Sequence, residues 1–534
     1  MQQRRVLLAL VVFLGAAVPY LPTIDDYFVQ DDFGVVGLLS TKPLTYFPRW
    51  FVSPWMDEIW GEPPDELRPF PAVTYQAAAL FGAGSPVANH AINITFHAMN
   101  AWLVFRIAEV AVGLAPAAAA FAGLVFALLP MQAESVAWVT GRVDSMPACF
   151  YLASFLLFHM WRVGARASFY SWSVVLCFVA LFTKQNTVTL PVAQVLWDLV
   201  GLKRPIRLSW QWVRPYVPFV LLTAAYLGLR YAIFGEVARE GRLGPEYLNL
   251  FFDNASIHLR RMIFGEAGLR IGVLRAALIV AAFSVGLTAV AVRRRNQAGK
   301  PLLGPAVYFL IVWVALGLAP TIVAGYGSPR HMYLASAGWA VALGVAYQAL
   351  AQTKTRQVMP AVTGLAAAAV LAAYSVQLSD EVRLWSVRSA VSRKVVSDIE
   401  REAGAVPRGT LLIVDPPQRS SNFTMPYAVQ PPFTSDDVAE KVSIVSHSSI
   451  HCCASYFWEP YTRKAIVSWM NNPDHPPVVA LRWDPQTGEL YRLREADEPF
   501  LRTVVALLLE SKDVASLDRQ ILSISSGMVL RPAS

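Results

Sequence analysis

Asp31 and Asp32 stand side by side directly after Tyr27-Phe28-Val29, which puts two carboxylates in a partly apolar setting just past an apolar N-terminal run. Such a setting disfavours the charged form and raises a carboxylate's proton affinity. A general base needs that affinity to take a proton from a hydroxyl. Two adjacent carboxylates can alternatively hold a divalent cation, and the plainest alternative is a helix end facing water. A second set, Glu134-Ser-Val-Ala-Trp-Val-Thr-Gly-Arg142-Val-Asp144, forms a turn at the edge of hydrocarbon. Charge is costly there, so Glu134, Arg142 and Asp144 must find partners or line a wet cavity. Cations complete the inventory: Lys184, Arg260, Arg261 and Arg330-His331. Guanidinium and ammonium groups at headgroup depth suit a lipid-linked phosphate or diphosphate, although each alone also serves as a headgroup anchor. His90, Asn93, His97 and Asn100 recur at spacings of 3, 4 and 3, which confines them to one side of a helix. Two readings of that side stand open: hydrogen bonding between helices, and the lining of a cavity.

Positioning these groups falls to a membrane bundle. Of 534 residues 55% are apolar and 15% charged, against about 25% charged in ordinary globular chains. A soluble reading of the whole chain is excluded, and no nucleic-acid partner is expected. Residues 1–378 hold 28 Lys/Arg and 18 Asp/Glu, whereas 379–534 hold 17 and 19. The first portion carries repeated apolar runs of roughly 18–22 residues, the length a helix needs to cross hydrocarbon. Eleven spans are expected, at about 6–24, 90–112, 115–133, 145–161, 169–186, 187–201, 215–234, 272–292, 303–324, 332–350 and 358–378. Cationic loops are retained in the cytoplasm. Arg4, Arg5, Arg106, Arg162, Arg166, Lys203, Arg204, Arg207, Arg214, Arg293–Arg295, Lys300, Lys354 and Arg356 all fall on one side if the N-terminus is cytoplasmic. The C-terminal portion then lies outside. The N-terminal run also has the form of a signal peptide, but it continues to Ile24 without a clean small-x-small site.

The expected domains are therefore 1–378, a transmembrane domain whose long first outer loop (25–89) contains interfacial helices, and 379–534, a small extracytoplasmic α/β domain. The loop has nine acids against three bases, with Trp50, Trp55 and Trp60 suited to the membrane interface. In the second domain, apolar positions from Asp380 to Glu402 predict an amphipathic helix, and 410–414, 477–481 and 489–493 read as short strands. Cys149 and Cys177 fall inside spans as packing residues, while the pairing of Cys452-Cys453 is left open. His447 and His451 lack a second pair at zinc spacing, so no metal site is assigned.

An ordered series of segments carries a resemblance: Leu67-Arg-Pro-Phe-Pro-Ala-Val-Thr-Tyr75, Asn89 through Ala101, Phe126 through Asp144, Thr183-Lys-Gln-Asn-Thr-Val-Thr-Leu-Pro191, Asp253-Asn254 with Arg260, and Ser328-Pro-Arg-His-Met-Tyr-Leu-Ala-Ser336. Over about 25–350 the chain resembles multispanning glycosyltransferases of the GT-C fold, in particular the transmembrane O-mannosyltransferases that carry tetratricopeptide repeats. The resemblance implies a sugar donor on a polyprenyl or dolichyl phosphate, and an acceptor hydroxyl on a protein, lipid or glycan, activated by an acid of the first outer loop. Carried over by position, Asp31 and Asp32 are the catalytic pair, with Glu134 and Asp144 as a second acidic set. Arg142, Lys184, Arg260, Arg261, Arg330 and His331 become donor-phosphate candidates, and Arg68, His90, Asn93, His97 and Asn100 acceptor or cavity-lining candidates. Gln185 and Pro329 stand where the family has Glu, which leaves Lys184 and Arg330 freer for phosphate, and 379–534 shows no 34-residue repeat.

The expectation is an inverting transfer of mannose or a similar sugar at the outer leaflet, with no cofactor required and a divalent cation at Asp31/Asp32 as the open alternative. The membrane is a bacterial inner membrane, or that of the endoplasmic reticulum if the source is eukaryotic. The rivals are a transporter or flippase of lipid-linked sugars, which usually shows paired halves and broken helices at the midplane, and a catalytically silent scaffold.

Overall fold

Helices dominate the computed structural model, which describes residues 2–55, 66–82, 84–207, 209–237, 248–265, 302–323, 327–352, 359–417, 425–446 and 464–493, besides single positions 272, 506 and 516. The chain divides into two units, one of Met1–Ile24, Glu66–Pro71 and His90–Trp385, the other of Asp25–Asp65, Ala72–Asn89 and Ser386–Ser534. The first outer loop is thus shared: 66–71 falls in the first unit, 25–65 and 72–89 in the second. The expected span at 272–292, Arg293–Arg295, Lys300, Lys354, Arg356, Trp60 and His447–Cys453 lie outside the described residues, save position 272.

In the first unit the apolar runs do form membrane-length helices. Six helices among the described residues are long and apolar enough to cross: Gln2–Thr23, Arg142–Arg162, Val217–Phe234, Leu303–Val323, Pro329–Ala351 and Ala361–Gly404. Pro116–Leu128 and Pro130–Ala137 are long and apolar enough only when taken together, and they are bent by 53° as in a broken span or a re-entrant loop, at a proline that cannot continue the backbone ladder. The protein is a multi-pass membrane protein. The expected spans at 169–186 and 187–201 appear as a 14-residue helix, Ser168–Leu181, and a seven-residue helix, Leu190–Leu196, that ends in a π-turn. Each is shorter than the ~20 residues of a straight crossing, because the polar segment Lys184–Asn186 and Pro191 interrupt the run. Small residues set the packing. A Cβ on Gly123 would lie 2.8 Å from Val12 and 3.0 Å from Phe105, so the helix Pro116–Leu128 approaches its neighbours as only glycine permits. Cys149 and Cys177 are free and buried, as packing residues are. The last expected span and the amphipathic segment after it form one continuous helix, Met359–Gly404, of 46 residues.

The second unit holds a four-stranded sheet in the order β2-β1-β3-β4, with β1 Leu411–Asp415, β2 Ser443–Ser446, β3 Val478–Asp484 and β4 Glu489–Arg492. β1 runs parallel to both β2 and β3, while β4 closes an antiparallel edge. Leu411, Leu412 and Val414 have no solvent exposure, the signature of a central parallel strand covered on both faces. Asp398, itself fully buried, accepts from the Leu490 backbone N–H at 3.0 Å and from Lys394 at 2.7 Å, tying the end of the long helix to β4. The unit also contains the helix Asp32–Thr41 and the 3-10 segment Leu44–Phe51 of the first outer loop.

Candidate functional site

In the first unit one buried carboxylate gathers two of the cations, Lys184 and Arg330. Asp144 lies in the first turn of the helix Arg142–Arg162, where the backbone N–H groups and helix dipole favour negative charge. Its Oδ1 accepts from the Lys184 ammonium, and its Oδ2 lies 3.5 Å from Arg330 Nε. His331 Nδ1 is 3.8 Å from Oδ1. Glu134 forms the second anchor. It accepts from Ser328 Oγ at 2.5 Å and from the Arg330 backbone N–H at 3.3 Å, and its Oε1 is 3.7 Å from the Arg330 guanidinium. Arg330 also lies 4.6 Å above the Trp138 ring, and Trp138 stacks on Trp385 at 5.9 Å and 15°. The expectation that Lys184 and Arg330 are freer for want of neighbouring Glu residues is corrected here: acids more distant in sequence pair with both. Asp144 and Lys184 side chains are 1% and 6% exposed, Glu134 and Arg330 18% and 23%, so the second pair forms the accessible side of the cluster.

The turn bearing these acids is tightly built. A Cβ on Gly141 would collide with the carbonyl of Glu134 and, at 2.9 Å, that of Trp138. Asn93 clasps the same turn, donating to the carbonyls of Val136, Trp138 and Val139 at 3.2, 2.8 and 3.2 Å and accepting from Arg142 Nε at 2.7 Å. His97 bonds Tyr333 at 2.7 Å and the Ala127 carbonyl at 3.1 Å, and Asn100 donates to the Ser145 carbonyl at 2.7 Å and to Tyr333 at 3.1 Å. Asn93, His97 and Asn100 are fully buried, so of the two open readings their bonds are those of interhelical hydrogen bonding. His90 and Arg142 are buried beside them. Arg68 pairs with Glu66 at 2.6 Å. Arg260 bonds within its own helix, to the Ser256 carbonyl at 3.3 Å, and Arg261 donates to the Gly327 carbonyl at 2.7 Å.

Two residues here escape sequence reasoning. Tyr333 sits inside a run that reads as apolar, yet its hydroxyl joins His97 and Asn100. His258 is fully buried on the helix Leu248–Phe264 and lies within electrostatic reach of His331. The Asn254 to His258 spacing of four, on one face of a helix, is the signal that could have found it.

The acidic pair belongs to the second unit. Asp32 opens the helix Asp32–Thr41 and is buried; its Oδ2 accepts from the Val29 backbone N–H at 3.0 Å while its own N–H returns to the Val29 carbonyl at 3.1 Å. Gln30 takes a left-handed φ of 54° inside that turn. Asp31, at the helix N-cap, is the more exposed of the two. Upstream, Asp26 accepts from Ser386 Oγ at 2.7 Å; burial holds its carboxyl above the usual range, against the lowering effect of that hydrogen bond. Burial likewise pushes the Tyr27 hydroxyl up. Among the described residues no group of three or more His, Cys, Asp or Glu side chains is placed to hold a metal ion.

Comparison with known proteins adds a second line of observation. No family model matches the chain. The chain resembles protein O-mannosyl-transferases of the TMTC group. It is 26% identical over 201 residues to Tmtc1 of Drosophila melanogaster, which is 36% of this chain and 22% of that protein. It is 28% identical over 222 residues to human TMTC4, 36% of this chain and 29% of the relative, and 29% identical over 138 residues to human TMTC3, 24% and 14%. The chain thus spans less than a third of the length of these relatives. Among solved structures, arabinofuranosyltransferase AftD from Mycobacteria aligns with 77% of this chain and 31% of its own, at 18% identity and a TM-score of 0.45.

Proposed function

We propose that the protein is a membrane glycosyltransferase that moves a sugar, mannose or a similar hexose or pentose, from a polyprenyl or dolichyl phosphate to an acceptor hydroxyl. The observation that carries this reading is the cation cluster. Lys184 and Arg330 converge on Asp144 within a helical membrane unit, with the His331 ring beside them, and the chain resembles O-mannosyl-transferases. Charges in such surroundings are maintained for a purpose, because hydrocarbon penalises them.

In the proposed reaction Asp31 or Asp32 takes the proton of the acceptor hydroxyl as its oxygen attacks the anomeric carbon. The bond from that carbon to the phosphate oxygen breaks on the opposite face, so configuration inverts. The electron pair leaves with the polyprenyl phosphate. Arg330 and Lys184 stabilise the phosphate's added charge, with Arg142, Arg260, Arg261 and His331 in support, so the leaving group needs no protonation. Glu134 and Asp144 hold the cations in place. Asp31, as the more exposed carboxylate, is the first choice for the base. No metal is invoked. In the same reading the membrane pieces complete a GT-C-like bundle of eleven crossings. The N-terminus is cytoplasmic and the second unit external, on a bacterial inner membrane or, in a eukaryote, the endoplasmic reticulum.

The test supplies the purified full chain with radiolabelled polyprenyl-phosphate mannose and a mixture of lipid, glycan and protein acceptors. Label leaving the lipid with wild type but not with Asp31→Asn/Asp32→Asn is expected. Movement of intact lipid between leaflets without sugar release would instead indicate a transporter, and no turnover with any donor a scaffold.

A further inference from the structure

The acidic pair is flanked by two phenylalanines, Phe28 and Phe33, both buried. A single ring from a distant part of the same unit meets them both. Phe433 stands edge-on to Phe28 at 5.1 Å and 78°, and to Phe33 at 5.0 Å and 82°. Such T-shaped pairs have a defined geometry and contribute beyond the area they bury. The Phe433 carbonyl accepts from Tyr27 Oη at 3.0 Å, and the Tyr27 ring packs on Phe28 at 5.8 Å and Phe33 at 5.9 Å. One turn further along the helix, a Cβ on Gly37 would touch Phe433 at 3.4 Å.

The segment before the pair is fastened as well. Ser389 Oγ accepts from the Tyr27 backbone N–H, and Ser386 Oγ donates to Asp26. Arg393 donates to the Asp25 carbonyl at 2.9 Å while its guanidinium lies 5.4 Å over the Tyr27 ring. Asp25, Asp26, Tyr27, Phe28 and Phe33, on both sides of the acidic pair, are thus fastened by residues 386–433. A surface loop left to itself would carry no such long-range partners, and a carboxylate on a loose turn is a poor base, since misplacement by about 1 Å can cost ~100-fold in rate.

We propose that the C-terminal segment of this chain is a built part of the reaction machinery, and that Phe433 is the positioning residue for the Asp31-Asp32 turn. This rests on the assignment of that pair as the base. In this account Phe433 acts through Phe28 and Phe33, without touching substrate, by fixing the direction in which the carboxylates point.

Two readouts on full-length Phe433→Ala test it, one of which is independent of activity. Hydrogen–deuterium exchange is expected to rise in the peptide covering 27–36 while strands 411–415 and 478–484 keep their protection. Transfer from radiolabelled polyprenyl-phosphate mannose is expected to show kcat reduced about 10- to 100-fold with KM for the donor within about threefold, and Phe433→Leu should recover most of both. Unchanged exchange at 27–36, or raised exchange with wild-type kcat, overturns the proposal. If the alanine variant also loses protection in the sheet, Phe433→Leu and Phe433→Met are judged by the same two readouts. Raised exchange in the loop, combined with full activity of Asp31→Asn/Asp32→Asn, would confirm the clamp and refute the base, so the two readings fail separately.

Discussion

Around Asp144 charge is held by charge. Lys184 and Arg330 converge on one carboxylate that is 1% exposed, and Glu134 takes up the other side of Arg330. Around Asp31 and Asp32 the fastening is apolar, with three phenylalanine rings edge to face and hydrogen bonds that go chiefly to the backbone. The first arrangement suits groups that must stay charged in poor solvent until an anion arrives. The second fixes the turn through its neighbouring rings and backbone, which suits carboxylates that are to be held in one direction. Each unit thereby restrains its candidate side chains by a different class of interaction.

Breaking the charge-held side should produce the largest effect on stability. Lys184→Met leaves the Asp144 carboxylate buried against reduced compensation and is expected to cost about 3–5 kcal/mol, read as a fall in unfolding midpoint in detergent. Adding Asp144→Leu should restore most of that loss but not activity, since the cation is still missing. A double variant as unstable as the single would mean that the pair contributes something other than mutual compensation. Asn93→Ala comes next. It removes three donated bonds to the turn and the acceptor for Arg142 Nε, with an expected loss of about 1–3 kcal/mol and increased protease sensitivity at 134–142.

The smallest effect concerns pH on the apolar side. Asp26 has its folded pKa raised above 3.8, chiefly by burial. A raised carboxyl stabilises the folded state while protonated and loses that contribution as pH rises through its folded pKa. The wild-type unfolding midpoint should therefore decline more steeply than that of Asp26→Asn as pH rises from about 4 toward neutrality. Parallel profiles would show that the Ser386 hydrogen bond fully offsets burial.

The sequence made part of this legible for identifiable reasons. Strands near 411–415, 478–484 and 489–492 announce themselves through runs such as Leu-Leu-Ile-Val and Val-Val-Ala-Leu. β2 does not, because Ser443-Ile-Val-Ser446 is too short and too polar at its ends to stand out. Membrane helices follow from hydropathy, but the interruption at Lys184–Pro191 divides what reads as two long spans into short pieces. The candidates themselves were readable as residue types in an ordered series. Their partners were not. Asp144 to Lys184 spans 40 residues and Tyr27 to Phe433 spans 406, and neither helical nor strand periodicity reports on pairing at such separations. His258 carries only the weak signal of its spacing from Asn254, and nothing in the sequence links it to His331.

One experiment addresses the division of labour directly: donor binding and sugar transfer measured side by side on wild type, Asp31→Asn/Asp32→Asn and Arg330→Gln, with radiolabelled polyprenyl-phosphate mannose as the probe. The predicted result is a dissociation of the two activities. The acidic double variant should bind the donor with Kd within about threefold of wild type while transfer falls ~100-fold or more, and Arg330→Gln should lose donor affinity and transfer together. Wild-type transfer by the acidic double variant would contradict the account.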